Sequence, residues 1–244
     1  MIDSRKRSTI KSVSWRVFAI FLLSFIAYFV TDSFYQMTAV ALLYNLVQLC
    51  VFWLHERLWN SITWGKTRGV FVQMTGMSGA GKTTIAKRAA EQLRKRGYKV
   101  EVIDGDEYRE NLSKDLGFSK EDRNTNIQRL GFVGKVLARN NVISIMSAIN
   151  PYAEVRNKLK KESDNVKIVY IKCDLENLKQ RDPKGLYRRA YLEDDHPEKI
   201  HNFTGVSDPY ESPENPDLTI DTNQDSVTKS ANEFIKFVLK EIGG

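Results

Sequence analysis

The chain has little cysteine: Cys50 and Cys173 are the only two in 244 residues. They lie far apart in unlike surroundings, which excludes a disulfide framework and fits a reducing compartment. Neither has the neighbours of a metal site. Internal repeats and low-complexity tracts are also lacking. What remains is a globular composition, long enough for one α/β domain and a smaller unit.

Acidic residues are scarce at the front. Before Gly69 stand eight of the 37 Lys/Arg but only three of the 30 Asp/Glu, so the remaining 29 and 27 nearly cancel. Most of the net charge of +7 therefore belongs to the front segment. That segment is apolar between its charges, so the excess points to a membrane surface and away from nucleic acid.

Charge is missing altogether from two runs, Val17–Val30 (VFAIFLLSFIAYFV) and Met37–Leu54 (MTAVALLYNLVQLCVFWL). Each comes close to the roughly 17–25 residues that cross a hydrocarbon core. The link between them, TDSFYQ, carries no base, whereas bases flank the outer ends at Arg5–Lys11 and Arg57–Arg68. By the positive-inside rule both ends face the cytoplasm. Trp53, Trp59 and Trp64 suit the inner interface. The expectation is a transmembrane helical hairpin over 1–68, with helices at about 14–30 and 37–54. A buried helical hairpin in a soluble protein is the alternative.

From Gly69 to 244 short apolar runs alternate with helical patterns. Strands are expected at Val70–Thr75, Lys99–Ile103, Val142–Ile149, Val166–Cys173 and Leu218–Ile220, and helices at Thr83–Arg96, Tyr152–Glu162 and Val227–Ile242. Such alternation predicts an α/β fold, a parallel sheet with helices on both faces.

The first strand runs into GMSGAGKTT, in which Gly76, Gly81, Lys82 and Thr83 fit the phosphate-binding spacing G-x-x-x-x-G-K-[ST]. Glycines let backbone N–H groups turn toward phosphate oxygens at a helix N-terminus. Gly76, Ser78, Gly79, Ala80, Gly81, Lys82, Thr83 and Thr84 are thus candidates to hold ATP. Lys82 would reach the β- and γ-phosphates and the Thr83 hydroxyl would hold Mg²⁺. Phosphoryl transfer and ATP hydrolysis both remain open on this motif.

The second strand ends in IDGDEYR, where a carboxylate faces the ligand crevice of an open sheet. Asp106 is the candidate to orient or deprotonate an acceptor hydroxyl, and it also suits a helix N-cap. Further on, Ser119 with Asp122 marks a helix start, which sets Arg123 and Asn126 on one face, fit for an anion or simply solvated.

GMSGAGKTT, DGDEYR, DLGFSKEDR with NIQR, RDPKGLYRRA, NFTG and DPYESPENPD follow one another in the order and spacing of the adenylyl-sulfate kinases. This resemblance spans nearly all of Gly69–Asp221 and implies a P-loop kinase fold. It implies transfer of the ATP γ-phosphoryl group to the 3′-hydroxyl of adenylyl sulfate. Asp106, Lys82 and Lys184 would then be catalytic, with Lys184 on a mobile lid. Arg109, Arg123 and Asn126 would hold anionic groups of the substrate, Phe118 and Phe203 would clamp its adenine, and Ile149 would line its site. The chain departs from the family at Asn150-Pro151-Tyr152, where Ser-Pro-Tyr is usual, at Ala153, where Arg is common, and at Tyr191–Lys199, which is longer.

The front, with KSVSWR and HERLWNSITWG, resembles a small membrane domain family of unknown function over about residues 5–66. Together the two resemblances imply a membrane-tethered, cytoplasm-facing kinase using ATP, Mg²⁺ and adenylyl sulfate. A homodimer, a sulfate adenylyltransferase and a sulfotransferase are candidate partners, and nucleic acid is not. Two other readings stay open: a catalytically silent nucleotide-binding module at the membrane, and a kinase for another small hydroxyl compound.

Overall fold

The computed structural model describes residues 2–3, 5–28, 34–62 and 66–243. Their contacts divide into two units, Ile2–Thr67 and a second from Arg68 onward. In the front unit β1 (Ile2–Asp3) pairs antiparallel with β2 (Lys66–Thr67), and α1 (Arg5–Tyr28) and α2 (Phe34–Ser61) form a helical hairpin. Lys11 Nζ meets Glu56 Oε2 at 2.6 Å, Ser14 Oγ meets His55 Nε2 at 3.1 Å, and Trp15 lies edge-on to Phe52 at 4.9 Å. These pairs fix an antiparallel register.

Both helices reach further into polar sequence than the apolar runs suggest, from residue 5 instead of 14 and to 61 instead of 54. The reason is side-chain satisfaction across the hairpin. The buried Arg7 guanidinium donates to Ile62 O at 2.8 Å and to Trp59 O, using carbonyls that a helix end leaves free. Among the described residues no helix is long and apolar enough to cross a membrane. Residues 29–33, which end the first apolar run and begin its link, and Trp64 lie outside the described residues.

The second unit runs β3 (Val70–Thr75), α3 (Lys82–Lys95), β4 (Val100–Asp104), α4 (Gly105–Leu112), α5 (Lys120–Arg139), β5 (Ile143–Ser147), α6 (Ala153–Lys161), β6 (Val166–Lys172), α7 (Leu175–Arg181), α8 (Leu186–Ala190), β7 (Leu218–Asp221) and α9 (Val227–Glu241). The five strands β3 to β7 form a parallel sheet in the order β4-β5-β3-β6-β7. After β3 the chain first builds one side of the sheet and then the other, so the crevice at the carboxyl ends opens where the order reverses.

Residues of β3 alternate between two cores. Val70, Val72 and Met74 pack in the cluster that contains Ile85 and Leu93 of α3 and Phe234 and Val238 of α9. Phe71 packs in the opposite one, with Ile127 and Leu130 of α5 and Val155 and Leu159 of α6. The period of two thus buries both faces of the central strand, each large side chain contributing about 1.5–3 kcal/mol. Ser119 caps α5 by accepting from Asp122 N at 3.1 Å.

Two boundaries differ from the sequence pattern in a way that matters for the site. The second strand extends to Asp104, while the third stops at Ser147 instead of Ile149. Ile149 leaves the ladder because its carbonyl is used elsewhere, accepting from Gly76 N at 3.3 Å and Thr75 Oγ1 at 2.9 Å. Asn150 follows with φ 48, a left-handed conformation that asparagine tolerates.

The helix α5 approaches the sheet through Gly134, where a Cβ would lie 2.3 Å from the buried Phe71 ring. We expect Gly134→Ala to destabilise the protein by about 1–3 kcal/mol through overpacking, against a helix-propensity gain of up to ~1 kcal/mol. Urea unfolding measures it, and a more stable variant would contradict this packing.

Candidate active site

The loop between β3 and α3 is shaped by its glycines at two places. A Cβ on Gly76 would sit 2.5 Å from Ile171 O, and Gly81, at φ 96, turns the chain into α3. Lys82 folds over this loop, donating from Nζ to Gly76 O at 2.7 Å and Met77 O at 2.8 Å. Burial brings its ammonium down to about 7; Asp106 works against that shift and Lys184 with it. Thr83 Oγ1 donates to Asp104 Oδ2 at 3.0 Å and lies 2.8 Å from Ser147 Oγ.

Ser78, Gly79, Gly81, Lys82, Thr83 and Thr84 line a cavity of about 240 Å³ with Asp104, Asp106, Ser147 and Lys184. Gly76 and Ala80 shape the loop from behind; Ala80 is buried. Asp104 and Ser147 are candidate site residues that motif reading missed. Their signal is positional: both end strands and are register partners beside the phosphate loop. With Thr83 they offer oxygen atoms only, a set that suits Mg²⁺ completed by phosphate and water. Among the described residues there is no group of three or more His, Cys, Asp or Glu that could hold a metal ion.

A second cavity adjoins the first, and Asp106, Ala148 and Ile149 line both. Its remaining wall includes Arg109, Phe118, Arg123, Asn126 and Asn150. Phe118 is exposed beneath two guanidinium groups, 4.3 Å from Arg109 and 5.8 Å from Arg123. Burial, then the neighbouring Arg123, lowers the pKa of Arg109 from its ordinary value. Arg123 is held in place by Thr204 Oγ1 at 2.8 Å, Asn202 O at 2.5 Å and Phe118 O at 3.0 Å.

One expectation needs correction. Asp106 does not cap α4; Asp104 does, accepting from Asp106 N at 3.0 Å, because the strand runs on to that residue. This frees the Asp106 side chain, which meets Lys184 Nζ at 2.5 Å. Phe118 and Phe203 do not line the same cavity. Phe203 is 6% exposed, packed edge-on against Tyr187 at 4.9 Å, and does not line the cavity that Phe118 lines. Apolar burial holds it in the core, where its neighbours Asn202 and Thr204 carry Arg123.

Lys184 sits in the turn between α7 and α8. Asp182 secures that turn by accepting from Tyr187 N and Arg188 N, both at 3.0 Å. Tyr187 then donates from its hydroxyl to Ser78 O at 3.1 Å, tying α8 to the phosphate loop. Burial raises the Tyr187 pKa, which keeps it a donor.

A parallel sheet, a glycine loop opening a helix, and a second cavity meeting the first at a carboxylate define a P-loop phosphotransferase. Residues 68–221 match the adenylylsulphate kinase family, and residues 9–60 match a predicted membrane protein family, DUF2061. The chain belongs to the adenylylsulphate kinase family. It is 46% identical over 176 residues to an adenylyl-sulfate kinase of Picosynechococcus, covering 72% of this chain and 96% of that one. It is 43% identical over 175 residues to a probable bifunctional SAT/APS kinase of Sorangium cellulosum, covering 72% of this chain and 29% of the other. The structure of Mycobacterium tuberculosis APS kinase CysC in complex with AMPPNP and APS is similar at TM-score 0.65 and 36% identity, covering 71% of this chain and 99% of that one.

The lowered pKa of Lys82 has a measurable consequence. A bound polyphosphate favours the ammonium, so binding at pH above about 7 takes up a proton. Affinity for ATP should fall by up to about tenfold per pH unit from 7 to 9. Calorimetry in buffers of different ionisation enthalpy would count that proton, and a pH-independent affinity with no uptake would contradict the burial of Lys82.

Proposed function

We propose that this protein transfers the γ-phosphoryl group of ATP to the 3′-hydroxyl of adenylyl sulfate, giving 3′-phosphoadenylyl sulfate, while attached to a membrane by its front hairpin. One observation carries the catalytic part: the phosphate-loop cavity and the cavity of Arg109, Phe118 and Arg123 meet at Asp106 and Ile149. ATP fits the first, with its phosphates on the loop of Ser78–Thr84. Adenylyl sulfate fits the second, with its base on Phe118, its anionic groups on Arg109, Arg123 and Asn126, and its ribose at the junction beside Ile149.

At the junction the 3′-oxygen attacks the γ-phosphorus as the bond from that phosphorus to the β–γ bridging oxygen breaks, leaving ADP. Asp106 orients the hydroxyl and takes its proton. Lys82 and Lys184 offset the charge gathering on the transferred group. Thr83, with Asp104 and Ser147 behind it, would hold Mg²⁺, which supplies charge neutralisation across the β- and γ-phosphates. The turn bearing Lys184 acts as the lid that keeps water from competing with the hydroxyl. Phe203 serves from the core by supporting the loop that holds Arg123.

The full chain in detergent with ATP and Mg²⁺ should form ADP only when adenylyl sulfate is added. Asp106→Asn should lower kcat by about 10²–10⁴-fold while ATP still binds. Binding of both nucleotides by the unaltered protein without turnover would identify a silent module instead, and turnover of an unrelated hydroxyl compound alone would identify a different kinase.

The match to a predicted membrane protein family and the two uncharged runs support attachment through residues about 14–54, with the kinase unit in the cytoplasm. The protein should sediment with membranes and resist high salt and carbonate. Release by salt would mean surface attachment through the basic flanks. Self-association, and exchange of nucleotide with a sulfate adenylyltransferase or a sulfotransferase, belong to the same reading. The bifunctional Sorangium relative supports the adenylyltransferase.

A further inference from the structure

The wall of the acceptor cavity contains an amide whose orientation can be deduced. The Arg156 carbonyl can only accept, so Gln73 turns its Nε2 toward it, at 3.0 Å. That leaves Gln73 Oε1 to accept from Asn150 Nδ2 at 3.1 Å. Asn150 must therefore present its other atom, Oδ1, as an acceptor, and that oxygen is buried without a partner. The residue cannot readily turn away. It is 1% exposed, and its own carbonyl is held by Arg156 Nη1 at 2.6 Å and Thr75 Oγ1 at 2.9 Å.

A buried carbonyl oxygen without a donor costs on the order of 1–3 kcal/mol, so a ligand that supplies a donor is strongly selected. Phosphate and sulfate oxygens only accept and are unsuited to this position. The reacting hydroxyl is elsewhere, at Asp106, Ala148 and Ile149, where the two cavities meet; Asn150 lines the acceptor cavity alone. Besides the reacting hydroxyl, adenylyl sulfate carries two donors, the 2′-hydroxyl and the exocyclic amino group of the base, and Phe118, which lines the same cavity as Asn150, sets the base on that wall.

We propose that Asn150 is a specificity-determining residue, its Oδ1 accepting from the 6-amino group of the acceptor's purine and rejecting a 6-oxo purine by setting two acceptors against each other. This rests on the function proposed above. It assigns base selection to an amide fixed by Gln73, while Phe118 supplies stacking that every base can use.

The experiment compares adenylyl sulfate with its hypoxanthine (6-oxo) and 2′-deoxy analogues on the full chain, by kcat/KM and by equilibrium binding. The unaltered protein should favour the amino compound over the oxo compound by at least about 100-fold, since sites built to pair a substrate donor reach about 10⁴-fold. Asn150→Gly, which suits φ 48, should reduce that ratio at least tenfold. Asn150→Ser should do the same, because a hydroxyl both donates and accepts. Equal use of the two bases by the unaltered protein overturns the proposal, as does an unchanged ratio in both variants or a loss of selectivity confined to the 2′-deoxy compound. Selective binding without turnover would fault the reaction and uphold the contact.

Discussion

The hydroxyl of Thr75 is the point through which the site holds together. It lies at the end of the central strand, fully buried, within 2.9 Å of three oxygens: Ile149 O, Asn150 O and the Tyr210 hydroxyl. Burial pushes the Tyr210 phenol up to about 12, so it keeps its proton and can donate, leaving the Thr75 proton for the carbonyls. Gly76, the next residue, begins the phosphate loop and donates to the same Ile149 carbonyl. Donor loop and acceptor wall are therefore joined by adjacent residues of one strand. A shift of either by a bond length would leave buried polar groups unpaired, which is a stiffer constraint than apolar packing alone provides.

That stiffness explains how two like-charged regions can face each other across a small opening. Lys82 is buried at a cost that lowers its pKa, and it persists because two loop carbonyls accept from it. Arg109 and Arg123 are likewise positioned by carbonyls, of Leu116 and Gly117 for the first and of Phe118 and Asn202 for the second. The cations do not depend on carboxylate partners that a polyanionic substrate would have to displace. Their remaining N–H groups would be available to an anionic ligand at little reorganisation cost.

Much of this was legible in the sequence because it is local. The phosphate loop, the Ser119 cap and the strand–helix alternation each depend on residues within a few positions of one another, and their bounds agree with the structure to within one or two residues at most ends. What was not legible is what depends on distant partners. Asp104 and Ser147 lie far apart in the chain and meet only through strand register. Phe203 and Tyr187 belong to separate motifs, and nothing in either indicates that one ring will bury the other. The polar ends of the front helices were read as flanks because Arg7 and Lys11 find their partners some fifty residues away. Asn150 stood out as a departure from the family, but the direction of its amide follows only from Gln73 and Arg156.

The contact between Lys184 and Asp106 then acquires a meaning that neither residue has alone. Both side chains are more than half exposed, so their attraction is screened and contributes little to stability. A weak pair at the junction of the two cavities is easily exchanged. Under the proposed reaction a polyphosphate on the loop would compete with Asp106 for the Lys184 ammonium and leave the carboxylate to the acceptor hydroxyl. Asp182 and Tyr187 anchor the turn on either side of Lys184. Exchange of the pair would therefore need only a side-chain change at Lys184.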